Sequence, residues 1–300
     1  MSNQQWIYLN GQYVRKEDAK ISVFDHGFLY GDGIFEGIRI YGGNIFKCKE
    51  HLLRLYDSAK SIMLDIPLTY TEMEAALVES VAKNGLRDGY IRLVVSRGDG
   101  NLGLDPRRCP KANIIIIVEQ LSIYSEDQYK TGLKIVSVST RRNIPDALNP
   151  KIKSLNYLNN ILVKIQANLA GVGEALMLNA QGYVAEGSGD NIFIIKNGIL
   201  FTPPAYVGAL EGITRNAIIE LCERFGYPCK EQPFSLHDVY VADEVFLTGT
   251  AAEVIAAREV DGRIIGSGEA GPITTHLLQE FRKMVTIDGV KIKYDEVTSQ

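Results

Sequence analysis

The segment Glu186-Gly187-Ser188-Gly189-Asp190-Asn191-Ile192-Phe193-Ile194-Ile195-Lys196-Asn197-Gly198-Ile199-Leu200-Phe201 carries both a turn rich in glycine and a hairpin. Residues 192–195 and 199–201 are apolar, strand-sized runs, and Asn197-Gly198 between them tolerate the positive φ of a type I′ turn. The same signal recurs at Asn10-Gly11, Gly42-Gly43 and Asp261-Gly262. Between the hairpins run helical patterns. Leu52, Leu55, Tyr56, Ala59, Ile62 and Met63 make one apolar face, and Ala217, Ile218, Leu221, Cys222 and Phe225 another, which Gly226 and Pro228 stop. Hairpins interleaved with helices predict an α+β fold in place of a doubly wound parallel sheet.

A chain of 300 residues exceeds the usual single-domain size, which predicts two domains. The polar stretch from Gln120 to Gly132 separates strand-like runs at 90–95 and 114–118 from others at 134–138 and 174–178. The expected division is 1–120, a connecting loop at 121–133, and 134–300, with a short strand near 290–292. A hydrophobic share of 46% and a charged share of 23% describe an ordinary globular chain, and the longest apolar run, 114–118, is too short to span a bilayer. Net charge −4 speaks against a nucleic-acid partner. Met1-Ser2-Asn3-Gln4-Gln5-Trp6 lacks the basic and apolar regions of a signal peptide, so a cytoplasmic setting is expected. Cys48, Cys109, Cys222 and Cys229 have no CxxC spacing and the four histidines are scattered, which predicts reduced thiols and no metal site.

Gly98-Asp99-Gly100-Asn101-Leu102-Gly103 matches the dinucleotide-binding pattern GxGxxG, but Pro106 and Pro110 fall where its helix must open, so a loop is expected there. A lysine is ordinarily a solvated surface charge. Lys153 stands out because Ser154, Asn156, Tyr157, Asn159 and Asn160 surround it with polar groups among Leu155, Leu158, Ile161, Leu162 and Ile165. Tyr157 shares a helical face with it if the helix has begun by then. Glu186 sits beside Gly187, Ser188 and Gly189, which leave room for a flat ring. A Schiff-base amine with a carboxylate facing a ring nitrogen is what pyridoxal 5'-phosphate requires. Gly212-Ile213-Thr214-Arg215 opens a helix whose free amides suit an anion, although an ordinary helix start looks the same. Gly249-Thr250-Ala251-Ala252 adds small-residue amides, and Arg54, opposite the apolar stripe of its helix, suits either solvent or a phosphate.

Six ordered blocks, Tyr30 to Arg39, His51 to Leu55, Lys153 to Leu158, Glu186 to Asn191, Leu210 to Arg215 and Gly249 to Glu253, resemble the fold-type IV pyridoxal-phosphate aminotransferases, most closely the branched-chain amino-acid aminotransferases. The resemblance implies a two-domain enzyme, with a small N-terminal α/β domain, a larger C-terminal domain with a barrel-like β core, and the site at their interface. It implies that Lys153 binds the cofactor covalently and shuttles a proton, that Glu186 holds the pyridinium nitrogen and Tyr157 the phenolic oxygen, and that Leu210 packs on the ring. Arg54, Ile213, Thr214 and Thr250 then bind phosphate. Tyr90 with the amides of Thr250 and Ala251 takes the substrate α-carboxylate, and Arg92 takes the distal carboxylate of glutamate or 2-oxoglutarate. Tyr30, Phe35 and Gly37 shape the side-chain pocket, with Leu102 or Leu104 supplied by a neighbouring subunit of a homodimer or larger homo-oligomer.

One departure concerns a tryptophan that some relatives carry in the interdomain loop. Here Leu121, Ile123 and Tyr124 occupy that stretch, and the only tryptophan is Trp6. Within the same resemblance, a D-amino-acid or (R)-amine aminotransferase, or an aminodeoxychorismate lyase, would use the same lysine and glutamate. Tyr90-Ile91-Arg92 and Gly249-Thr250-Ala251-Ala252 favour transamination of L-leucine, L-isoleucine and L-valine with 2-oxoglutarate.

Overall fold

The computed structural model describes residues 5–121 and 124–294; Ile123 of the expected connecting loop and the N-terminal residues Met1 to Gln4 lie outside the described residues. The chain forms two compact units. The first comprises 5–121 together with Lys153–Asn156 and 285–294, and the second comprises 124–152 and Tyr157–Met284. Residues 134–300, expected to form a single domain, therefore contribute two segments to the first unit. Backbone pairing is the cause in both cases, as described below.

In the first unit the strands β1 (Trp6–Leu9), β2 (Gln12–Arg15), β3 (Gly33–Tyr41), β4 (Asn44–Phe46), β5 (Gly89–Ser96) and β6 (Asn113–Glu119) form an antiparallel sheet in the order β4-β3-β5-β6-β1-β2. The helices are α1 (His26–Tyr30), α2 (Cys48–Ser61) and α3 (Tyr70–Asn84). α3 begins with a capping box in which Thr69 and Glu72 satisfy each other's backbone amides. Leu52, Leu55 and Ala59 bury the inner face of α2, as their spacing predicts. Met63 does not join them. The helix ends at Ser61, Met63 takes φ +51°, and its side chain is 85% exposed.

The second unit begins with α4 (Glu126–Thr131), so the expected connection is partly helical, capped by Ser125 and Gln128. It continues with β7 (Leu133–Ser137), α5 (Leu158–Leu169), β8 (Glu174–Leu178), β9 (Val184–Gly187), β10 (Asn191–Lys196), β11 (Ile199–Thr202), α6 (Ile213–Phe225), β12 (Cys229–Glu231), α7 (Leu236–Tyr240), β13 (Glu244–Gly249), β14 (Glu253–Val260), β15 (Arg263–Ile264) and α8 (Pro272–Met284). The sheet runs β12-β11-β10-β13-β14-β7-β8-β9, with β15 paired to β14. Gly187 N–H donates to Asp190 C=O at 2.7 Å, joining the end of β9 to the start of β10 and curling the sheet towards a barrel. Phe193 and Phe246 stack at 4.9 Å within it. A last strand, β16 (Gly289–Lys291), pairs with β4 and completes the seven-stranded sheet of the first unit, where Asn44 Nδ2 donates to Val285 and Asp288 C=O.

All four predicted hairpin turns carry two consecutive positive φ angles: Asn10-Gly11 (52°, 91°), Gly42-Gly43 (55°, 78°), Asn197-Gly198 (51°, 74°) and Asp261-Gly262 (50°, 75°). That is the type I′ signature. After β5 the loop at 98–103 opens no α-helix, and only a short 3-10 turn, Pro106–Arg108, follows. Gly98 is required there, because its φ is +89° and a Cβ would lie 1.9 Å from Lys111 C=O. Gly98→Ala is expected to lower the unfolding free energy by about 2 kcal/mol or more, through strain and displacement of the 109–112 segment. Thermal or denaturant unfolding of the variant checks this; an unchanged midpoint would mean that the loop adapts freely.

Candidate active site

Lys153 lies in an extended segment laid along β3. Phe35 N–H donates to Lys153 C=O and Leu155 N–H to Gly33 C=O, both at 2.9 Å, with Ile34 and Ser154 as an antiparallel bridge. Lys153 N–H donates to Ser58 Oγ of α2 at 3.3 Å. Its Nζ stands 4.6 Å from the centre of the Phe35 ring. The helical face expected to join Lys153 to Tyr157 does not form, because α5 starts only at Leu158 and Tyr157 is its N-cap. The polar neighbours of Lys153 act mainly as backbone ties. Asn156 Nδ2 donates to Gly31 C=O, Asn159 Nδ2 to Arg141 C=O, and Asn160 Nδ2 to Ser188 C=O.

Beside Phe35, Glu36 is completely buried. Arg54 forks onto it, Nε to Oε1 and Nη2 to Oε2 at 2.8 Å each, and His51 Nδ1 approaches Oε2 at 2.7 Å. Arg54 is therefore oriented by Glu36 and only 12% exposed, in contrast to a solvated surface arginine. Burial alone pushes the Glu36 carboxyl up; Arg54 and His51 outweigh it and hold the group well below the usual carboxylate range. Burial pushes His51 down, against the Glu36 contact, and the charges of Arg54 and Lys153 add to the downward shift. The ring is thus neutral at pH 7 and donates from Nδ1 to the carboxylate.

On β3 and β5 the register pairs Gly37 with Arg92 and Arg39 with Tyr90. The Tyr90 hydroxyl lies so close over Gly37 that a Cβ there would sit 1.9 Å from it. The Arg92 guanidinium stacks 4.4 Å from the centre of Phe35 and 5.4 Å from that of Tyr90. Phe35, Gly37, Tyr90 and Arg92 thus form one surface with an aromatic floor and a cation. The Tyr30 hydroxyl accepts Gly103 N–H at 3.1 Å, which leaves the face of its ring available.

In the second unit, buried Glu186 accepts Arg142 Nε on Oε1 at 2.6 Å, and Leu210 N–H and Asn191 Nδ2 on Oε2 at 2.8 and 3.3 Å. A carboxylate offers about four acceptor positions, so among the described residues one remains on Oε1. Three loops converge on this carboxylate's neighbourhood. Asn191 Nδ2 also donates to Leu210 C=O. A Cβ on Gly212, the N-cap of α6, would lie 2.0 Å from Asn191 Oδ1, and one on Gly249 2.0 Å from Asp190 Oδ1. The start of α6 at Ile213 and Thr214, which has no side-chain cap, and the 250–252 turn are thereby drawn toward residues 190–191. Thr248 Oγ1, across from Asn191, is buried with no hydrogen-bond partner among the described residues.

A profile described as Amino-transferase class IV matches residues 33–260. The chain belongs to that family. This class IV chain is 54% identical to a putative branched-chain-amino-acid aminotransferase of Methanocaldococcus jannaschii, covering 97% of the chain and 99% of the relative. Its structure resembles the branched-chain amino acid aminotransferase of Escherichia coli with a TM-score of 0.92 at 36% identity, over 98% of each chain. It also resembles the branched-chain amino acid aminotransferase of Thermobaculum terrenum in its PLP-form, with a TM-score of 0.86 at 30% identity over 95% of each chain. The fold is the expected α+β architecture of fold-type IV aminotransferases, a mixture of helices with largely antiparallel sheets.

Several residues of the aminotransferase escaped sequence reasoning. Glu36 was detectable in principle, as a carboxylate inside the apolar strand Gly33–Tyr41, which calls for a buried partner. Arg142, Asn191 and Ser58 left no such signal, since each acts on a residue remote in sequence or on a turn. Glu36→Gln removes the buried charge onto which Arg54 forks, and is expected to cost about 3 kcal/mol at pH 7. Because the native carboxyl lies below its ordinary value of 4.5, its stabilisation is full above that pH and fades as pH falls below it, where the unfolded chain takes up the proton first. Denaturant unfolding of both proteins at pH 7 and at progressively lower pH should show the gap narrowing; a gap independent of pH would remove the charge from the explanation.

Proposed function

We propose that the protein transfers the amino group of L-leucine, L-isoleucine or L-valine to 2-oxoglutarate, giving branched-chain 2-oxo acids and L-glutamate, with pyridoxal 5'-phosphate as cofactor. The observation that carries this reading is the end-to-end likeness to branched-chain aminotransferases in sequence and structure. The residues present fit the cofactor. Among the described residues, the second unit supplies a carboxylate with one acceptor position left, a buried hydroxyl at Thr248 with no hydrogen-bond partner, and a 13-residue helix whose first amides lack a side-chain cap. When bound, the cofactor supplies an aldehyde for covalent attachment and a ring that withdraws electrons from the substrate Cα.

In this reading Lys153 Nζ would hold the cofactor covalently and, once displaced by the incoming substrate amine, would be the free base that takes up and carries the substrate Cα proton. Glu186 binds the ring nitrogen; Arg142, paired with the same carboxylate, orients it. Tyr157 serves the phenolic oxygen and Leu210 packs on the ring. Arg54, Ile213, Thr214 and Thr250 bind the phosphate, Arg54 through a guanidinium already aimed by Glu36. Tyr90 and the amides of Thr250 and Ala251 serve the α-carboxylate. Tyr30, Phe35 and Gly37 take the aliphatic side chain, and Arg92 the distal carboxylate of 2-oxoglutarate. A guanidinium stacked beside an aromatic floor suits a pocket that receives an aliphatic chain in one half-reaction and a carboxylate in the other.

Self-association belongs to the same reading. On α5, Leu158, Ile161, Leu162, Ile165 and Leu169 are exposed, while Asn160, Val163 and Ala167 face inward; of the apolar residues expected to surround Lys153, those on α5 instead turn outward. They follow a helical stripe without a charge, which a second copy of the chain can match without repulsion. Phe24, Phe28, Leu102 and Leu104 are exposed apolar residues of the first unit. Among the described residues no helix is long and apolar enough to cross a membrane. A cytoplasmic setting suits the four free thiols.

Half-reaction kinetics with L-leucine, L-valine and D-alanine test the substrate. L-leucine should be fastest, and a faster reaction with D-alanine would sink the assignment. Lys153→Ala should lower kcat by at least about a thousandfold, as loss of the nucleophile and proton carrier requires. Ile161→Glu with Leu162→Glu should reduce the sedimenting mass; an unchanged mass would move the interface off α5.

A further inference from the structure

We propose that Ser58 is a positioning residue for Lys153, a reading that rests on Lys153 being the reacting amine. His51, Arg54 and Ser58 stand at positions i, i+3 and i+7 of α2, along one edge of the helix. The first two reach the Glu36 carboxylate, and the third reaches the backbone of Lys153, 95 positions away. A serine inside a helix ordinarily bonds the carbonyl four residues back. Ser61 and Ser80 do so, to Asp57 C=O at 2.9 Å and Ala76 C=O at 2.6 Å. Ser58, only 3% exposed, instead turns its oxygen out of the helix to accept Lys153 N–H.

The consequence is geometric. With its N–H held by α2 and its C=O by Phe35 of β3, Lys153 has both flanking peptide planes fixed, so φ and ψ are set. The amine then moves only through side-chain torsions, over the Phe35 ring. Proton transfer is sensitive to such placement, and an error of about 1 Å costs roughly a hundredfold. Glu36 strengthens the arrangement because its hydrogen bonds to His51 and Arg54 dock α2 on the strand that carries Phe35.

The test compares Ser58→Ala, Ser58→Thr and Ser58→Cys in the cofactor-loaded protein by two measurements. One is hydrogen exchange at the Lys153 amide; the other is the single-turnover rate with L-leucine, together with KM. Ser58→Ala is expected to exchange about tenfold faster at Lys153 and to react ten- to a hundredfold more slowly, with KM within about threefold. Exchange elsewhere in α2 and β3 should stay at the wild-type rate. Ser58→Thr, which keeps the hydroxyl, should recover both properties; Ser58→Cys, a weak acceptor of similar size, should resemble Ser58→Ala. Wild-type exchange and turnover in Ser58→Ala overturns the proposal. So does equal damage in the alanine and threonine variants with faster exchange throughout α2, which would make packing the cause. If threonine does not fit the site, wild-type behaviour of the cysteine variant overturns it instead. A wild-type protein that takes up no pyridoxal 5'-phosphate would defeat the functional reading, while the exchange comparison would still judge Ser58.

Discussion

Two backbone hydrogen bonds, Phe35 N–H to Lys153 C=O and Leu155 N–H to Gly33 C=O, bring a short segment from the middle of the chain onto the edge of β3. Much of the first unit's chemistry depends on them. They place the amine of Lys153 over Phe35, next to the strand positions that carry Glu36 and Gly37. They also explain why Lys153–Asn156 group with residues more than a hundred positions away and apart from their immediate neighbours. Antiparallel pairing satisfies backbone groups that a buried segment must otherwise leave unmet, and so compensates for a long loop closure.

Each unit also buries a carboxylate. Glu36 is neutralised by the Arg54 fork and a neutral histidine, and Glu186 by Arg142, an asparagine and a backbone amide. Buried ion pairs gain little stability over well-packed apolar groups, because desolvation consumes most of the Coulomb energy. Their value here is directional. Glu36 fixes the plane of a guanidinium, and the three donors on Glu186 fix the plane of the carboxylate and leave one acceptor position for an incoming donor. Both follow one principle: a group that must meet a charged ligand in a definite orientation is held by partners that occupy its other hydrogen-bonding positions.

Local rules carried well wherever local sterics decide the outcome. The four type I′ turns appeared at the residue pairs that tolerate positive φ, and the two prolines after Gly103 marked a loop without a phosphate-binding helix. They carried less well where burial depends on what lies opposite. The Lys153 segment looked like a polar patch entering an apolar surround, yet most of its asparagines tie loops together, and the leucines and isoleucines of α5 turn away from the unit's own core. Met63 fits an apolar helical period but follows the end of α2. Periodicity predicts which residues share a face, and says nothing of whether that face meets a core, solvent or another chain.

The amino-acid sequence alone determined the α+β class, the hairpins, the helix end at Gly226, and the ordered motifs that assign the chain to its family, because these depend on backbone sterics and residue chemistry within short windows. The tertiary structure alone decided that Glu36 organises Arg54, that Arg142 shares the Glu186 carboxylate, and that Ser58 holds the amide of Lys153. Those partners lie 18, 44 and 95 positions apart, and a hydrogen bond across such distances exists only once the sheets have set the register.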